Sequence, residues 1–98
     1  MIYLRQFNDS FCEGIEYYNS IHPKLAARFV AAVDLALGQI MKYPKIGRQF
    51  RNYRAYLLKD FPYSICYSES SEGELRGLVL FHHKQKEPFI GGRRGRAE

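Results

Sequence analysis

Between Pro23 and Pro44 the apolar residues Leu25, Phe29, Ala32, Val33, Ala36, Leu37, Ile40 and Met41 recur at i, i+3, i+4 and i+7 spacing. On a 3.6-residue period that spacing lines them along one side of a single helix. Pro23 suits the first turn, where a helix leaves its N–H groups unbonded anyway. Lys42 complements the negative end of the helix dipole, and Pro44 sets the stop. From Gly47 onward the period becomes two. Phe50 to Leu58 reads as a strand, Tyr63 to Tyr67 places Tyr63, Ile65 and Tyr67 on one face, and Leu75 to His83 is apolar on both faces near its centre. A helix that must bury a stripe, followed by strands that need a covered face, limits the chain to helices packed on a sheet.

The first residues complete the pattern. Ile2 to Phe7 reads as a short strand ended by Asn8-Asp9, whose side chains satisfy local backbone groups in turns. Ser10 with Glu13 three residues on is a capping-box pattern, and Phe11, Ile15 and Tyr18 give the helix that follows an apolar stripe. His22 precedes a proline and is pushed out of helical dihedrals, so two helices meet there with almost no connection and form a hairpin. Ser68 to Glu74, with Gly73, reads as the turn between the last two strands. The expected topology is β-α-α-β-β-β, an α+β domain with a helical hairpin on one face of a mainly antiparallel sheet. At 98 residues there is area for one core only. Residues 1–90 are assigned to that domain and residues 91–98 to a basic C-terminal tail.

Charge is distributed unevenly. The formal net charge is +5, and residues 1 to 40 contribute none of it, with Arg5, Lys24 and Arg28 set against Asp9, Glu13, Glu16 and Asp34. Lys42, Lys45, Arg48, Arg51, Arg54 and Lys59 follow one another with no acid until Asp60. Between residues 82 and 96, Lys84, Lys86, Arg93, Arg94 and Arg96 face Glu87 alone. Such a field suits phosphate backbones or an acidic protein partner, and a solvated face that maintains solubility is the plainer alternative. The two cysteines, Cys12 and Cys66, lie far apart with neither CxxC nor Cys/His metal spacing, so the sequence suggests neither a disulfide framework nor a zinc site. Each is expected to be a small buried hydrophobe. No cofactor motif is present, since Gly91-Gly92 lacks a strand-loop-helix context. No apolar run reaches membrane-spanning or signal-peptide length, so a cytoplasmic protein with no membrane association is the expectation.

Candidate chemistry concentrates where the apolar strand Leu75 to Phe81 runs into His82, His83, Lys84, Gln85 and Lys86. Successive residues of a strand point to opposite faces, so only one histidine can face the open side of the sheet and the other faces the helices or the sheet rim. A histidine of near-neutral pKa can take a proton from a ribose hydroxyl while cations stabilise the charge that develops on phosphorus. His83, Arg54, Lys59 and Lys86 are the catalytic set on that reading. As a binding surface the set is Arg51, Arg54, Tyr63, His83, Lys84, Lys86, Arg93 and Arg94. Tyr63, with Tyr53, Tyr56 and Tyr67, could stack on bases, although alternating aromatics on a strand more often pack across strands.

Several segments, in order, resemble the bacterial toxins of the RelE/ParE superfamily, on the ParE-like, plasmid-stabilisation side. They are Glu13 to Asn19, Arg28-Phe29, Ile40 to Gly47, Arg54 with Leu57-Leu58, Phe61 to Tyr67, and His83 to Pro88 followed by Arg94. The resemblance implies the same small α+β fold and a type II toxin neutralised by a cognate acidic antitoxin, which itself accounts for the basic second half. RelE-like relatives cut messenger RNA on the ribosome with an arginine on the third strand and a late arginine and tyrosine. This chain has Ser64, Lys86 and Phe89 at those places. ParE-like relatives act on DNA gyrase without cleaving RNA, and the loss of the strand arginine favours that target. The alternatives are a ribosome-dependent, metal-independent endoribonuclease and an inactive relative kept as an antitoxin-binding module.

Overall fold

The structure is a computed structural model and describes residues 1–84. The elements run β1 (Ile2–Tyr3), α1 (Arg5–Ile21), α2 (Pro23–Lys42), β2 (Arg48–Gln49), β3 (Arg54–Leu57), β4 (Tyr63–Glu69) and β5 (Leu75–His82). They form one five-stranded sheet in the order β1-β5-β4-β3-β2, antiparallel except for the β1–β5 pair. The helical hairpin lies on one face, as the α+β reading requires. The boundary at residue 90 and the tail 91–98 lie outside the described residues.

α2 forms as its spacing dictates. Phe29, Val33, Ala36, Leu37 and Ile40 are buried in the core, while Met41 is exposed, because the stripe drifts around a helix that ends one residue later. His22 separates the helices in an extended conformation and accepts a hydrogen bond at Nδ1 from the Lys24 N–H, capping α2. On the sheet, Tyr63, Ile65 and Tyr67 share one face as expected; that face is the one the helices cover, and the partners Leu80 and His82 lie on it too. Ser64, Cys66, Val79 and Phe81 take the other face. Pairing slips from Cys66↔Val79 to Tyr67↔Gly77, leaving Leu78 as the extra residue of a bulge.

Three expectations are corrected. Strand β1 ends at Tyr3 and α1 is helical from Arg5, not from Ser10. The reason is packing: Phe7 inserts between Tyr3 and Phe11 and over Gly77, where an added Cβ would lie 3.1 Å from the Tyr3 ring. Ser10 is therefore interior to the helix. Its Oγ donates to Phe7 O (2.9 Å) and accepts from the Leu80 N–H (2.9 Å), satisfying a β5 donor that the two-residue β1 does not reach. Second, Phe50 to Leu58 is not one strand. β2 and β3 form a hairpin closed by Phe50 N–H to Tyr53 O (2.8 Å), with Gln49 Nε2 also donating to the carbonyl of Tyr53. Third, Cys12 is exposed and Cys66 alone is buried.

Candidate functional site

The open face of the sheet carries one of the two histidines. His82 pairs with Tyr63 and meets its ring edge-on at 4.8 Å, on the helix side. Burial there lowers its pKa, and the charges of Lys84 and His83 lower it further. His83, one residue on, turns to the open face. Its N–H donates to Pro62 O (2.9 Å), and its Nε2 lies 2.9 Å from Ser64 Oγ, in hydrogen-bond contact. The position that sequence comparison marked as a missing arginine is thus occupied by the hydroxyl that fixes this imidazole. Cys66 lies on the same face, buried, and desolvation pushes its thiol pKa up to about 12, which keeps it protonated and unreactive.

Arg54 does not join His83. It pairs with Tyr67 and so lies on the helix-facing side, where its Nη1 donates to Gly47 O (2.8 Å) and to Lys45 O (3.2 Å). The same loop is held from β4: the Tyr67 hydroxyl donates to Pro44 O (2.8 Å) and accepts from the Gly47 N–H (2.9 Å). Gly47 is required there, since a Cβ would lie 2.8 Å from that hydroxyl. Burial raises the Tyr67 pKa, with the Gly47 N–H and the Arg54 charge working against it. Arg54 and Tyr67 together fix the Pro44–Gly47 turn that displays Lys45 and Arg48.

The remaining candidates scatter. Lys59 is exposed in the loop between β3 and β4, next to Asp60 at φ 70°. Arg51 is exposed at the tip of the β2–β3 hairpin, and Lys84 is exposed just past β5. Tyr63 is buried at 8% exposure, ringed by Tyr18, Phe29 and His82, so its faces are used in packing. Lys86, Arg93 and Arg94, with Phe89, lie outside the described residues. Among the described residues, no three His, Cys, Asp or Glu side chains gather as a metal site would need.

Sequence reasoning missed two features. At the hairpin tip, Phe50 stacks on Tyr53 (5.2 Å between centroids, 16° between planes) and the Arg48 guanidinium covers Phe50 at 5.5 Å. Reading Phe50 to Leu58 as one strand hides the turn. The second is a cleft of about 310 Å³ between α1 and the end of β5, lined by Asp9, Ser10, Glu13, Tyr63 and His82 among others. It places acids of α1 beside the helix-side histidine, a juxtaposition visible only once Ser10 is known to lie within the helix. Among the described residues, no helix is long and apolar enough to cross a membrane.

No family model matches the chain. Among curated proteins it is similar to one named Putative toxin Y4kP from Sinorhizobium fredii (strain NBRC 101917 / NGR234), 34% identical over 76 residues, covering 76% of this chain and 77% of that protein. Among solved structures it is similar to a chain of the chromosomal ParDE TA system from P. aeruginosa. That match has a TM-score of 0.65 at 16% identity, with 82% of this chain and 90% of the other covered.

Proposed function

The chain belongs to the RelE/ParE superfamily of toxins, and on that premise we propose that it is the toxin of a type II toxin–antitoxin module, inhibiting growth by binding DNA gyrase and held inactive by an acidic antitoxin. The observation that carries the choice of target is the separation of the basic side chains. Cleaving a phosphodiester without a metal needs a proton acceptor and cations around one phosphorus. Here His83 is on the open face, the Nη1 of Arg54 is committed to two loop carbonyls on the other, and Lys59 stands in the loop beyond β3. Cations spread in this way suit recognition of a large partner through field and contact.

The deciding experiment is a supercoiling assay with purified gyrase and this protein in excess. Inhibition is expected, and undiminished supercoiling overturns the gyrase target. The endoribonuclease reading draws on one contact, the 2.9 Å approach of Ser64 Oγ to His83 Nε2, which orients an imidazole that could act as general base. On that reading expression in a translating extract yields cleaved messages, and cleavage is lost in His83→Ala.

A further inference from the structure

In a chain with a formal net charge of +5, the cleft of about 310 Å³ between α1 and β5 runs against the charge of the whole. Among the described residues its lining includes Asp9 and Glu13 and no lysine or arginine. The two acids stand one turn apart on α1 and so share one side of it. Like charges at that spacing repel, and among the described residues neither carboxylate has an ion pair. Both are exposed, so they form the rim of the cleft and not its floor.

The floor holds a different group. Tyr63 lines the cleft at 8% exposure, and among the described residues its hydroxyl makes no hydrogen bond. That hydroxyl is directed at α1, since a Cβ built on Gly14 would lie 3.6 Å from it. Burial raises its pKa, and the neighbouring Tyr18, Tyr17 and Glu13 raise it further, so the oxygen keeps its proton and offers its lone pairs. A phenol buried this far usually finds a partner; Tyr67, four residues on and on the same face, finds two. Other polar groups of the cleft are committed. Ser10 Oγ bonds Phe7 O and the Leu80 N–H, and His82 Nδ1 accepts from the Lys84 N–H.

These acceptors select the ligand by its chemistry. Two carboxylates repel an anion and, with a neutral phenol oxygen, suit a cation that carries several N–H donors. A bare divalent ion is served less well, because among the described residues no three His, Cys, Asp or Glu side chains gather to hold one. A primary ammonium puts three donors on one compact charge, and the volume admits it with a short stem. We propose that the cleft binds a primary ammonium group on a short alkyl chain, with Asp9 and Glu13 neutralising its charge and the Tyr63 oxygen accepting from one of its N–H groups. The site goes beyond the gyrase reading and does not rest on it. A free diamine and a lysine side chain of a partner protein both supply this group.

The test titrates the full chain with putrescine at constant ionic strength and follows the backbone amide shifts of residues 9–14 and 79–82. Saturable shifts are expected there. Tyr63→Phe should weaken binding about tenfold, the loss of one hydrogen bond to a charged group. Glu13→Gln should weaken it about threefold, as for a carboxylate open to solvent. Asp34→Asn, on α2, removes the same charge away from the cleft and should leave binding unchanged. The bis-trimethylammonium analogue of putrescine keeps both charges but has no N–H, and should bind at least about tenfold more weakly than putrescine. Nα-acetyl-lysine methylamide represents the second source, and whichever of it and putrescine binds more tightly identifies the carrier. A thermal melt of each variant separates a lost site from a lost fold, and should Tyr63→Phe fail to fold, Glu13→Gln and the quaternary analogue decide. Absent shifts at millimolar putrescine, equal affinity for the quaternary analogue, or undiminished binding in a folded Tyr63→Phe each overturn the site and leave the acids a nonspecific negative rim.

Discussion

Tyr63 and Tyr67 stand four residues apart on β4, on the same face of the sheet and beneath the same two helices, yet the fold uses them differently. At the Tyr63 end the surroundings are rings: Tyr18, Phe29, Phe61 and His82 lie around it with centroids within about 5 to 6 Å of a neighbour. At the Tyr67 end the hydroxyl is bonded twice to backbone, and Arg54 binds two further carbonyls of the same loop. One end is held by buried apolar area and the other by a polar network. The first sets how stable the domain is, and the second sets where the basic turn Pro44–Gly47 is presented.

The largest effect should come from the aromatic end. Phe29 has no exposed surface and touches Phe11, Tyr18, Phe61 and Tyr63. Phe29→Ala should cost about 3–5 kcal/mol in denaturant unfolding, the usual loss for a large-to-small change at a site that cannot collapse. A loss under about 1 kcal/mol would mean that the rings are loosely packed and would erase the distinction.

Next in size is the polar end. Tyr67→Phe keeps the ring but strands the Gly47 N–H and the Pro44 carbonyl, and should cost about 1–3 kcal/mol. Faster exchange of the Gly47 amide should accompany it, because the network holds the turn as well as the core. The matching change at the other end, Tyr63→Phe, should stay within about 0.5 kcal/mol of wild type, since among the described residues the Tyr63 hydroxyl makes no hydrogen bond. Equal losses at the two tyrosines would break the comparison.

How much of this could be read from residues alone follows the same division. The apolar end was legible, since Phe29, Val33 and Ile40 on α2 and Tyr63, Ile65 and Tyr67 on β4 announce their faces by period. The polar end was not. That Arg54 would turn under the sheet to bind carbonyls seven and nine residues earlier depends on β3 pairing, and the hairpin that sets this pairing turns at Phe50–Tyr53 with neither glycine nor proline to mark it. At the amino end the i, i+4 pair Phe7 and Phe11 was a helical signal available in the sequence, masked by the turn propensity of Asn8-Asp9 and the capping-box likeness of Ser10 and Glu13. The candidate site suffered most. Strand alternation allows only one histidine on the open face, but which one depends on β4–β5 register. That register puts His82 beneath the helices and His83 over Ser64.

That placement gives the smallest effect and the finest test. His82 is packed edge-on against Tyr63, and its pKa is lowered first by that burial and then by Lys84 and His83. Above the unfolded value of about 6.5 both states hold the ring neutral, and its titration costs the fold nothing. As pH falls below that value the unfolded chain takes the proton first, so stability declines through the window down to the lowered folded pKa and is flat with respect to this group below it. Thermal melts from pH 7 to about pH 5.5 should therefore show a small loss in wild type that His82→Gln abolishes. The two causes respond differently to salt: added ions screen Lys84 and His83 but leave burial unchanged. If burial dominates, most of the decline persists in high salt. A decline that salt removes would assign it to the neighbouring charges, and one that survives His82→Gln would place the titrating group elsewhere and leave the aromatic end indifferent to pH.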